Sequence, residues 1–341
     1  MPTRIRMGLL GAAAVAPAAL LAPARRDPRV TVTAVAARDR ARADAFARKH
    51  GIPRVHHGYE DLLADPDVDA VYVPLPNGLH ADWTLKALAA GKHVLCEKPF
   101  TANAAEAERV ADAARAAHER SGLVTMEAFH YRHHPLAARM REIVDGGELG
   151  TLRRVEAEVC FPLPRFGDIR YSYELAGGAT MDAGCYAVHV LRLLGPGEPE
   201  VTSARALTLR GEPRIDRAMT AQLAFDDGTT GGVRASMWSR RLLSIRARAT
   251  GDDGALDVTN FLMPHVYHQL TVRRPGGRGG RVVRRERLAR RPSSYDHQLS
   301  AFAAAVLDGA PVLTSPEDAV ANLRVLDAIY RASGLPVRGT P

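Results

Sequence analysis

The hydrophobic positions follow one pattern in the first part of the chain and another after about residue 150. In the first part, short apolar runs alternate with stretches in which polar and apolar residues have helical spacing. The apolar runs, each a predicted strand, are Ile5–Leu10, Val30–Ala37, Val68–Pro74, His93–Cys96 and Leu123–Phe129. Alternating strands and helices are joined by right-handed crossovers, so we predict a parallel sheet with helices on both faces.

After residue 150, longer strands follow one another with few helices between them. The predicted strands are Arg153–Phe161, Val201–Leu209, Met219–Phe225, Thr229–Trp238, Leu243–Thr250 and Tyr267–Arg273, and the predicted helices are Ala183–Leu194, Tyr295–Leu307 and Pro316–Ser333. Asp226-Asp227-Gly228 and Asp252-Asp253-Gly254 have the composition of hairpin turns. Strands joined by hairpins predict an antiparallel sheet.

The length of 341 residues exceeds what one hydrophobic core usually holds, so we expect two domains. Residues 1–128 are predicted to form an α/β domain with a parallel sheet. Residues 129–341 are predicted to form an α+β domain with a large, mostly antiparallel open sheet. Its C-terminal helix could pack back on the first domain.

The formal net charge of +8 comes from a single segment. Residues 273–291 contain nine arginines and one acid, Glu286, so the rest of the chain is neutral. The Pro-Gly-Gly and Gly-Gly steps in this segment predict an exposed turn between two strands. A phosphate or nucleic-acid contact is the alternative. Surfaces that bind single strands usually carry aromatic residues among the basic ones, and this segment has none. We therefore expect a solvated basic hairpin and no nucleic-acid partner.

The cysteines indicate neither a disulfide framework nor a metal site. Cys96, Cys160 and Cys185 have no paired spacing, and an odd count favours a reducing compartment. We expect no metal cofactor.

The segment from Met7 to Ala24 allows two interpretations. Arg4 and Arg6 before it, with Ala22-Pro23-Ala24 at its end, resemble the parts of a secretory signal. The same residues are also typical of a strand, a glycine turn and a helix. We favour the second interpretation, because cleavage after Ala24 would remove the first strand of the predicted parallel sheet. A cytoplasmic protein without a membrane span is therefore expected.

The turn after the first strand has the composition of a nucleotide-binding loop. Gly8 and Gly11 stand at the end of that strand, and small residues that include Ala13 follow. Glycine lets the backbone approach a diphosphate, and a helix N-terminus behind it favours an anion. A glycine turn without a ligand is the alternative.

The second strand ends in Ala37-Arg38-Asp39. Sites for NAD usually place an acid here, where it binds the ribose hydroxyls. A small residue followed by arginine instead suits the 2′-phosphate of NADP. We favour NADP(H), and Asp39 leaves NAD(H) open.

Two further loops follow strands of the parallel sheet, at the edge where ligands bind. The first contains Pro74, Asn77 and His80, which could lie along the nicotinamide ribose or form an ordinary connecting loop. The second is Glu97-Lys98-Pro99. A lysine held there can polarise a hydroxyl or a carbonyl, and Glu97 can orient it. A surface Glu-Lys pair is the alternative, but such a pair rarely ends a buried strand before proline.

Together with the glycine turn and the Pro74–His80 loop, two motifs resemble the Gfo/Idh/MocA oxidoreductase family over nearly the whole chain. They are Glu97-Lys98-Pro99 and Gly177-Gly178-Ala-Thr-Met-Asp182-Ala-Gly-Cys-Tyr186. The stretch from Glu127 to Pro135 is similar to the branch that contains glucose–fructose oxidoreductase, dimeric dihydrodiol dehydrogenase and NADP-linked xylose dehydrogenases. The resemblance implies an N-terminal Rossmann domain, and a C-terminal domain that binds substrate and makes a homodimer or homotetramer through its open sheet.

The resemblance also implies roles for individual residues. Lys98 matches the family lysine that contacts cofactor and substrate, and Asp182 matches the acid that positions the substrate. Tyr186 falls where members carry the catalytic histidine or tyrosine. Ala14 is a departure, since relatives in this branch often carry arginine in the glycine loop, and it leaves part of the phosphate contact open.

The spacing of the second motif supports these roles independently. Asp182, Tyr186 and His189 are separated by four and three residues, which places them on one face of a single helix. His189 could be a proton relay or a packed, hydrogen-bonded histidine. Tyr131, Arg170 and Tyr295 are further candidates for substrate contact, and any of them could equally be core or surface residues.

The implied reaction is hydride transfer between nicotinamide C4 and a hydroxyl or carbonyl carbon of a sugar, sugar derivative or cyclic diol. Lys98 and Tyr186 would have acid–base roles. A non-catalytic NADP(H)-binding sensor is one alternative, although a sensor has no need of Lys98, Asp182 and Tyr186 together. A secreted binding protein is the other.

Overall fold

The computed structural model describes residues 4–275 and 281–339, and the chain divides into two compact units. Unit 1 contains the residues up to His133 together with Ser294–Val320. Unit 2 contains His134–Ser293 together with the residues from Ala321 onwards. Each unit is therefore assembled from two separate stretches of sequence.

Unit 1 is built on a parallel sheet. Its strands are β1 Ile5–Leu10, β2 Val30–Ala36, β3 Arg54–Val55, β4 Ala70–Val73, β5 His93–Cys96 and β6 Thr125–Glu127, in the order β3-β2-β1-β4-β5-β6. Neighbouring strands are parallel throughout. The predicted α/β fold with a parallel sheet is confirmed. The apolar run at the start of the chain forms the central strand β1, in which Met7 is fully buried.

Helices connect these strands and occur again later in the chain. A π-helical turn, Pro17–Leu21, continues into α1 Ala22–Ala24, and the other α-helices are α2 Arg40–His50, α3 Tyr59–Ala64, α4 His80–Ala89, α5 Ala104–Ser121, α6 Pro135–Asp145, α7 Cys185–Leu194, α8 Ser294–Asp308 and α9 Pro316–Ala332. Leu299 and Phe302 of α8 join the core around β1, which brings this late helix into unit 1. Within the described residues, no helix has both the length and the apolar content needed to cross a membrane.

Unit 2 contains the second sheet. Its strands are β7 Leu152–Cys160, β8 Glu200–Thr208, β9 Asp216–Ala224, β10 Thr230–Ser236, β11 Ser244–Gly251, β12 Gly254–Thr259, β13 Gln269–Pro275 and β14 Arg281–Glu286, in the order β14-β13-β12-β11-β7-β10-β9-β8. β7 and β10 are parallel, and the other neighbours are antiparallel, which confirms the predicted mostly antiparallel sheet. α7 packs against β7 and β10.

The predicted hairpins form where the turn residues indicated. Asp226-Asp227-Gly228 lies between β9 and β10, and Asp252-Asp253-Gly254 joins β11 to β12. β13 and β14 pair as the two strands of the predicted basic hairpin. Its turn, residues 276–280, lies outside the described residues.

The hydrophobic pattern did not predict β3, α3, α6 or β12. β3 has two residues and α3 has six, too few to show a period. α6 begins at Pro135, and its signal is the cap before it, where Nδ1 of His134 accepts a hydrogen bond from the backbone N–H of Leu136 at 3.1 Å.

Candidate active site

The carboxyl ends of the unit 1 strands meet at one edge of the sheet. In register, Leu10 lies beside Ala36, Val73 beside Cys96, and Cys96 beside Glu127. The glycine turn, the Arg38 segment, the Pro74 loop and Glu97-Lys98 each follow one of these strand ends. β1 and β4 are neighbours at the point where the strand order reverses, which is where open α/β sheets bind ligands.

Gly8 and Gly11 both permit a close approach at this edge. A Cβ on Gly8 would lie 2.5 Å from Cδ2 of Leu62, so the glycine lets α3 pack against β1. Gly11 has φ +108°, and a Cβ there would lie 3.2 Å from Cδ2 of Leu75. The N–H of Ala13 donates to the carbonyl oxygen of Gly11 at 2.9 Å and closes the turn. Glycine at position 11 therefore accommodates the positive φ and the contact with Leu75, in the turn where the sequence predicts a diphosphate.

Two arginines and a capped acid follow β2. The Asp39 carboxylate accepts a hydrogen bond from the N–H of Arg42 at 3.2 Å and caps α2. Arg42 donates through Nη2 to the carbonyl oxygen of Ala12 at 2.9 Å, which ties α2 to the glycine turn. Burial raises the pKa of Tyr59, and the charges of Arg38 and Arg42 oppose that rise.

The residues expected to distinguish NADP from NAD, Ala37, Arg38 and Asp39, lie between β2 and α2. Ala37 is buried, and Arg38 is exposed. The cap made by Asp39 commits its carboxylate to α2, whereas Arg38 extends from the strand end toward solvent. Sequence reasoning missed Arg42 and Tyr59, and the signal for Arg42 was its position three residues after the cap.

His80 joins the two loops that follow β4 and β5. Its Nδ1 lies 2.7 Å from the carbonyl oxygen of Pro99, and its Nε2 lies 2.7 Å from that of Leu75. The side chain is fully buried, and burial lowers its pKa to about 4. The imidazole therefore lies within the protein and holds the two loops together. In the first of these loops, Pro74 is buried directly after β4, and Asn77 begins a short 3₁₀ helix that leads into α4.

Glu97 and Lys98 follow β5 at the same edge. The Tyr72 hydroxyl donates to Oε1 of Glu97 at 2.6 Å, and the backbone N–H of Lys98 donates to Oε2 at 3.2 Å. Tyr72 is fully buried in β4, so its hydroxyl holds the Glu97 carboxylate in a fixed position. Burial raises the pKa of Tyr295, the charge of Glu97 adds to the rise, and the charge of Lys98 opposes it.

Tyr131 and Tyr295 occupy different environments in unit 1. Tyr131 is 1% exposed and packs edge-on against Phe129, with ring centroids 6.3 Å apart. Its role as a substrate contact stays a prediction. Tyr295 is half-buried, and its ring lies 4.1 Å from that of His130.

In unit 2, Asp182 lies in a π-helical turn, Thr180–Gly184, that leads into α7. The sequence predicted a single regular helix through Asp182, Tyr186 and His189. A π-helical turn is wider than an α-helical one, so Asp182 is rotated away from the position that an α-helix would give it. Tyr186 and His189 lie in α7 and are 7% and 4% exposed.

Arg170 contacts the predicted substrate-positioning acid. Its Nε lies 3.2 Å from Oδ2 of Asp182, and its Nη1 lies 3.1 Å from Oδ1 of Asp168. The charge of Asp182 is the main cause of the raised pKa of Arg170. Within residues 4–275 and 281–339, no group of three or more His, Cys, Asp or Glu side chains is placed to hold a metal ion.

Comparison with known families gives two matches. The oxidoreductase family with an NAD-binding Rossmann fold matches residues 5–125, and the GFO/IDH/MocA C-terminal domain matches residues 137–257.

Individual relatives cover most of the chain. D-xylose 1-dehydrogenase (NADP(+)) 2 from Haloferax volcanii is 39% identical over 329 residues, 96% of either chain. A dTDP-3,4-didehydro-2,6-dideoxy-alpha-D-glucose 3-reductase from Streptomyces violaceoruber is 38% identical over 283 residues, 82% of this chain and 80% of that one.

A solved structure has the same fold. KijD10, a 3-ketoreductase from Actinomadura kijaniata in complex with NADP and TDP-benzene, superposes with a TM-score of 0.85 at 31% identity, covering 96% of this chain and 98% of its own. The two family matches, the relatives and the common fold agree with the motifs on the ligand edge and in α7, and this chain belongs to the Gfo/Idh/MocA family of oxidoreductases.

Proposed function

We propose that the protein is an NADP(H)-dependent dehydrogenase or reductase that acts on a CH–OH or carbonyl carbon of a sugar, sugar derivative or cyclic diol. The observation that carries the proposal is the position of Glu97 and Lys98 at the carboxyl end of β5, on the ligand edge of the Rossmann sheet. The relatives act on substrates of these kinds.

The residues after β1 and β2 fit a phosphorylated dinucleotide. The Gly11 turn follows β1, and Arg38 is exposed at the end of the neighbouring strand β2. Asp39 is engaged as the cap of α2, which leaves positive charge rather than a free acid at the place of the ribose 2′ position. When bound, the nicotinamide cofactor supplies or accepts the hydride.

The protein moves the proton and orients the substrate. We assign acid–base roles to Lys98 and Tyr186: Tyr186 takes the hydroxyl proton in oxidation and returns it in reduction. Asp182, held by Arg170, accepts a hydrogen bond from a second substrate hydroxyl. Glu97 keeps Lys98 in place, and Tyr72 fixes the Glu97 carboxylate.

A cytoplasmic location is part of the proposal. No disulfide joins Cys96, Cys160 and Cys185, and each of the three is buried. This arrangement fits a reducing compartment.

Activity measurements on the full-length protein test the proposal. Production of NADPH is followed with NADP⁺ and a panel of aldoses, nucleoside-diphosphate sugars and cyclic diols, for the wild type and for Tyr186→Phe and Lys98→Ala. We expect each variant to lose about 10²- to 10⁴-fold in turnover, the size of a general acid–base contribution. Tyr267→Phe and Lys49→Ala are matched controls, because Tyr267 is 53% exposed and Lys49 lies at the solvent-facing end of α2.

Each alternative outcome has a clear meaning. Full turnover in Tyr186→Phe would remove Tyr186 from the mechanism and leave His189 as the candidate base. Tight NADPH binding without turnover on any substrate would favour the non-catalytic sensor.

A further inference from the structure

A fully buried carboxylate lies behind the turn that carries Asp182. Asp216, at the start of β9, is 0% exposed. Its Oδ2 accepts hydrogen bonds from the backbone N–H of Thr180 at 2.7 Å and from the Thr180 hydroxyl at 2.6 Å. Its Oδ1 accepts from the Tyr330 hydroxyl at 3.1 Å and from Nη2 of Arg338 at 2.8 Å. Both oxygens are therefore fully used by donors.

The guanidinium group comes from the tail after α9. Arg338 is also 0% exposed, and its plane lies over the Tyr330 ring at 4.1 Å. Its Nε donates to the carbonyl oxygen of Gly177 at 2.6 Å, and its Nη1 donates to that of Pro336 at 2.9 Å. One side chain near the end of the chain thus holds Asp216 and the backbone of the glycine pair before Asp182.

The glycine pair of the family motif has its explanation in this cluster. Gly178 has φ +131°, and a Cβ there would lie 2.2 Å from Oδ1 of Asp216 and 2.9 Å from Nη2 of Arg338. The backbone therefore passes directly over the buried ion pair. The N–H of Asp182 donates to the carbonyl oxygen of Gly178 at 3.0 Å, which connects the cluster to the substrate-positioning acid.

We infer that Asp216 and Arg338 are positioning residues for the reaction: together they fix the turn Gly177–Gly184 and, through it, Asp182 and Tyr186. This inference rests on the proposed function, because Asp182 and Tyr186 have their roles only there. The Asp216 carboxylate holds the first N–H of the π-helical turn, and Arg338 holds both the carboxylate and the Gly177 carbonyl.

The ion pair of Asp216 and Arg338 can fix the turn because both side chains are fully buried. Burial raises the pKa of the Asp216 carboxyl, and the Arg338 charge and the Thr180 donors oppose that rise. If one partner of a buried pair is removed, the other becomes an uncompensated buried charge. The turn would then lose its fixed position, and a displacement of about 1 Å at a reacting group can reduce the rate about 10²-fold.

Three conservative variants of the full-length protein test the inference. Arg338→Lys keeps the charge but cannot donate to Asp216, Gly177 and Pro336 in the same planar geometry. Tyr330→Phe removes one hydroxyl and keeps the ring. Asp216→Asn keeps the shape but turns an amide NH₂ toward two donors in either orientation. Arg331→Lys is the matched control, since Arg331 is 67% exposed at the end of α9.

Turnover, KM and NADPH affinity are measured for each variant with the best substrate of the wild type, beside circular dichroism. We expect kcat to fall about 10- to 100-fold in Arg338→Lys and Asp216→Asn, less in Tyr330→Phe, and not at all in Arg331→Lys. The Kd for NADPH should stay within about twofold, because the Gly11, Arg38 and Arg42 site is in unit 1.

Folded variants with the kcat of the wild type would overturn the inference, as would a kcat loss explained fully by a matching loss of folded protein. If Asp216→Asn does not fold, Arg338→Lys and Tyr330→Phe decide in the same way. A wild type without activity on any substrate would instead be a failure of the proposed function, and it is recognised before any variant is measured.

Discussion

Arg38 and Asp39 are adjacent, yet their side chains have different environments. Asp39 accepts the N–H of Arg42 and begins α2, whereas Arg38 is exposed at the end of β2. Arg42 is held by the carbonyl oxygen of Ala12 and contributes a second positive charge close to the glycine turn. In the proposed cofactor site, these two positive charges favour a phosphate on the ribose, while Asp39 serves as the cap of α2.

Removal of the exposed arginine should therefore weaken NADPH binding selectively. For Arg38→Ala we expect the Kd for NADPH to rise about 10- to 100-fold, the effect of one charged hydrogen bond, with the Kd for NADH almost unchanged. Fluorescence titration with each cofactor measures both constants. Arg48→Ala is the control, because Arg48 is exposed on the same helix toward its other end. An equal loss for both cofactors would contradict the assignment.

At the residue scale, the sequence predicted the parts of the site that follow strand ends. Gly11, Arg38, Glu97 and Lys98 each stand directly after a predicted strand, so topology alone brings them to one edge. The support of Asp182 could not be predicted in this way. Arg338 and Asp216 are 122 positions apart, and no local pattern connects residues at that separation.

At the scale of elements, His80 makes the main connection between the loops of the Rossmann sheet. It stands at the first position of α4 and bonds to carbonyl oxygens on both sides, at Leu75 and at Pro99. A neutral imidazole donates through one nitrogen, and protonation would let it donate through both. Burial nevertheless outweighs this gain and lowers the His80 pKa to about 4.

This shift predicts a contribution to acid unfolding. Because the folded pKa of His80 is below the ordinary histidine value of about 6.5, its contribution to stability is complete above pH 6.5 and is lost as the pH falls toward about 4. Over that window we expect the free energy of unfolding to fall by about 3 kcal/mol through this residue. His80→Gln should flatten the dependence in urea unfolding between these pH values, and His57→Gln, at an exposed histidine, should not. An unchanged slope in His80→Gln would show that other groups control acid unfolding.

The sequence predicted well the elements that are long enough to show a clear periodicity of hydrophobic positions. The nine-residue strands β7 and β8 and the C-terminal helix α9 were predicted to within a few residues of their observed bounds. The π-helical turn before α7 was not predicted, because its cause is remote. A Cβ on Gly184 would lie 3.3 Å from the Cβ of Ala235, and Thr180 is bonded to Asp216, so both ends of the turn are set by contacts with other strands.

For the whole molecule, the charged face of the unit 2 sheet is the surface that we consider for contact between two copies of the chain. α7 covers one face. The other carries charged side chains on neighbouring strands, with Arg246 opposite Glu158 and Arg248 opposite Glu156. Arg234 is exposed on β10, beside Glu158. Alternating charges of this kind are able to pair across a two-fold axis, because each acid on one copy can meet a base on the other.

We therefore expect the protein to form a homodimer or homotetramer through this face. Sedimentation equilibrium should give a mass of two or four chains of 36.8 kDa, and dissociation should increase with salt because exposed ion pairs are screened. Arg248→Glu places an acid opposite Glu156 and should shift the equilibrium toward single chains, while Arg48→Glu, which makes the same charge change in unit 1, should not. A stable oligomer in both variants would move the interface to another surface. A single chain in the wild type at low salt would mean that the charged face is exposed to solvent, and its Arg–Glu pairs would then contribute little to stability.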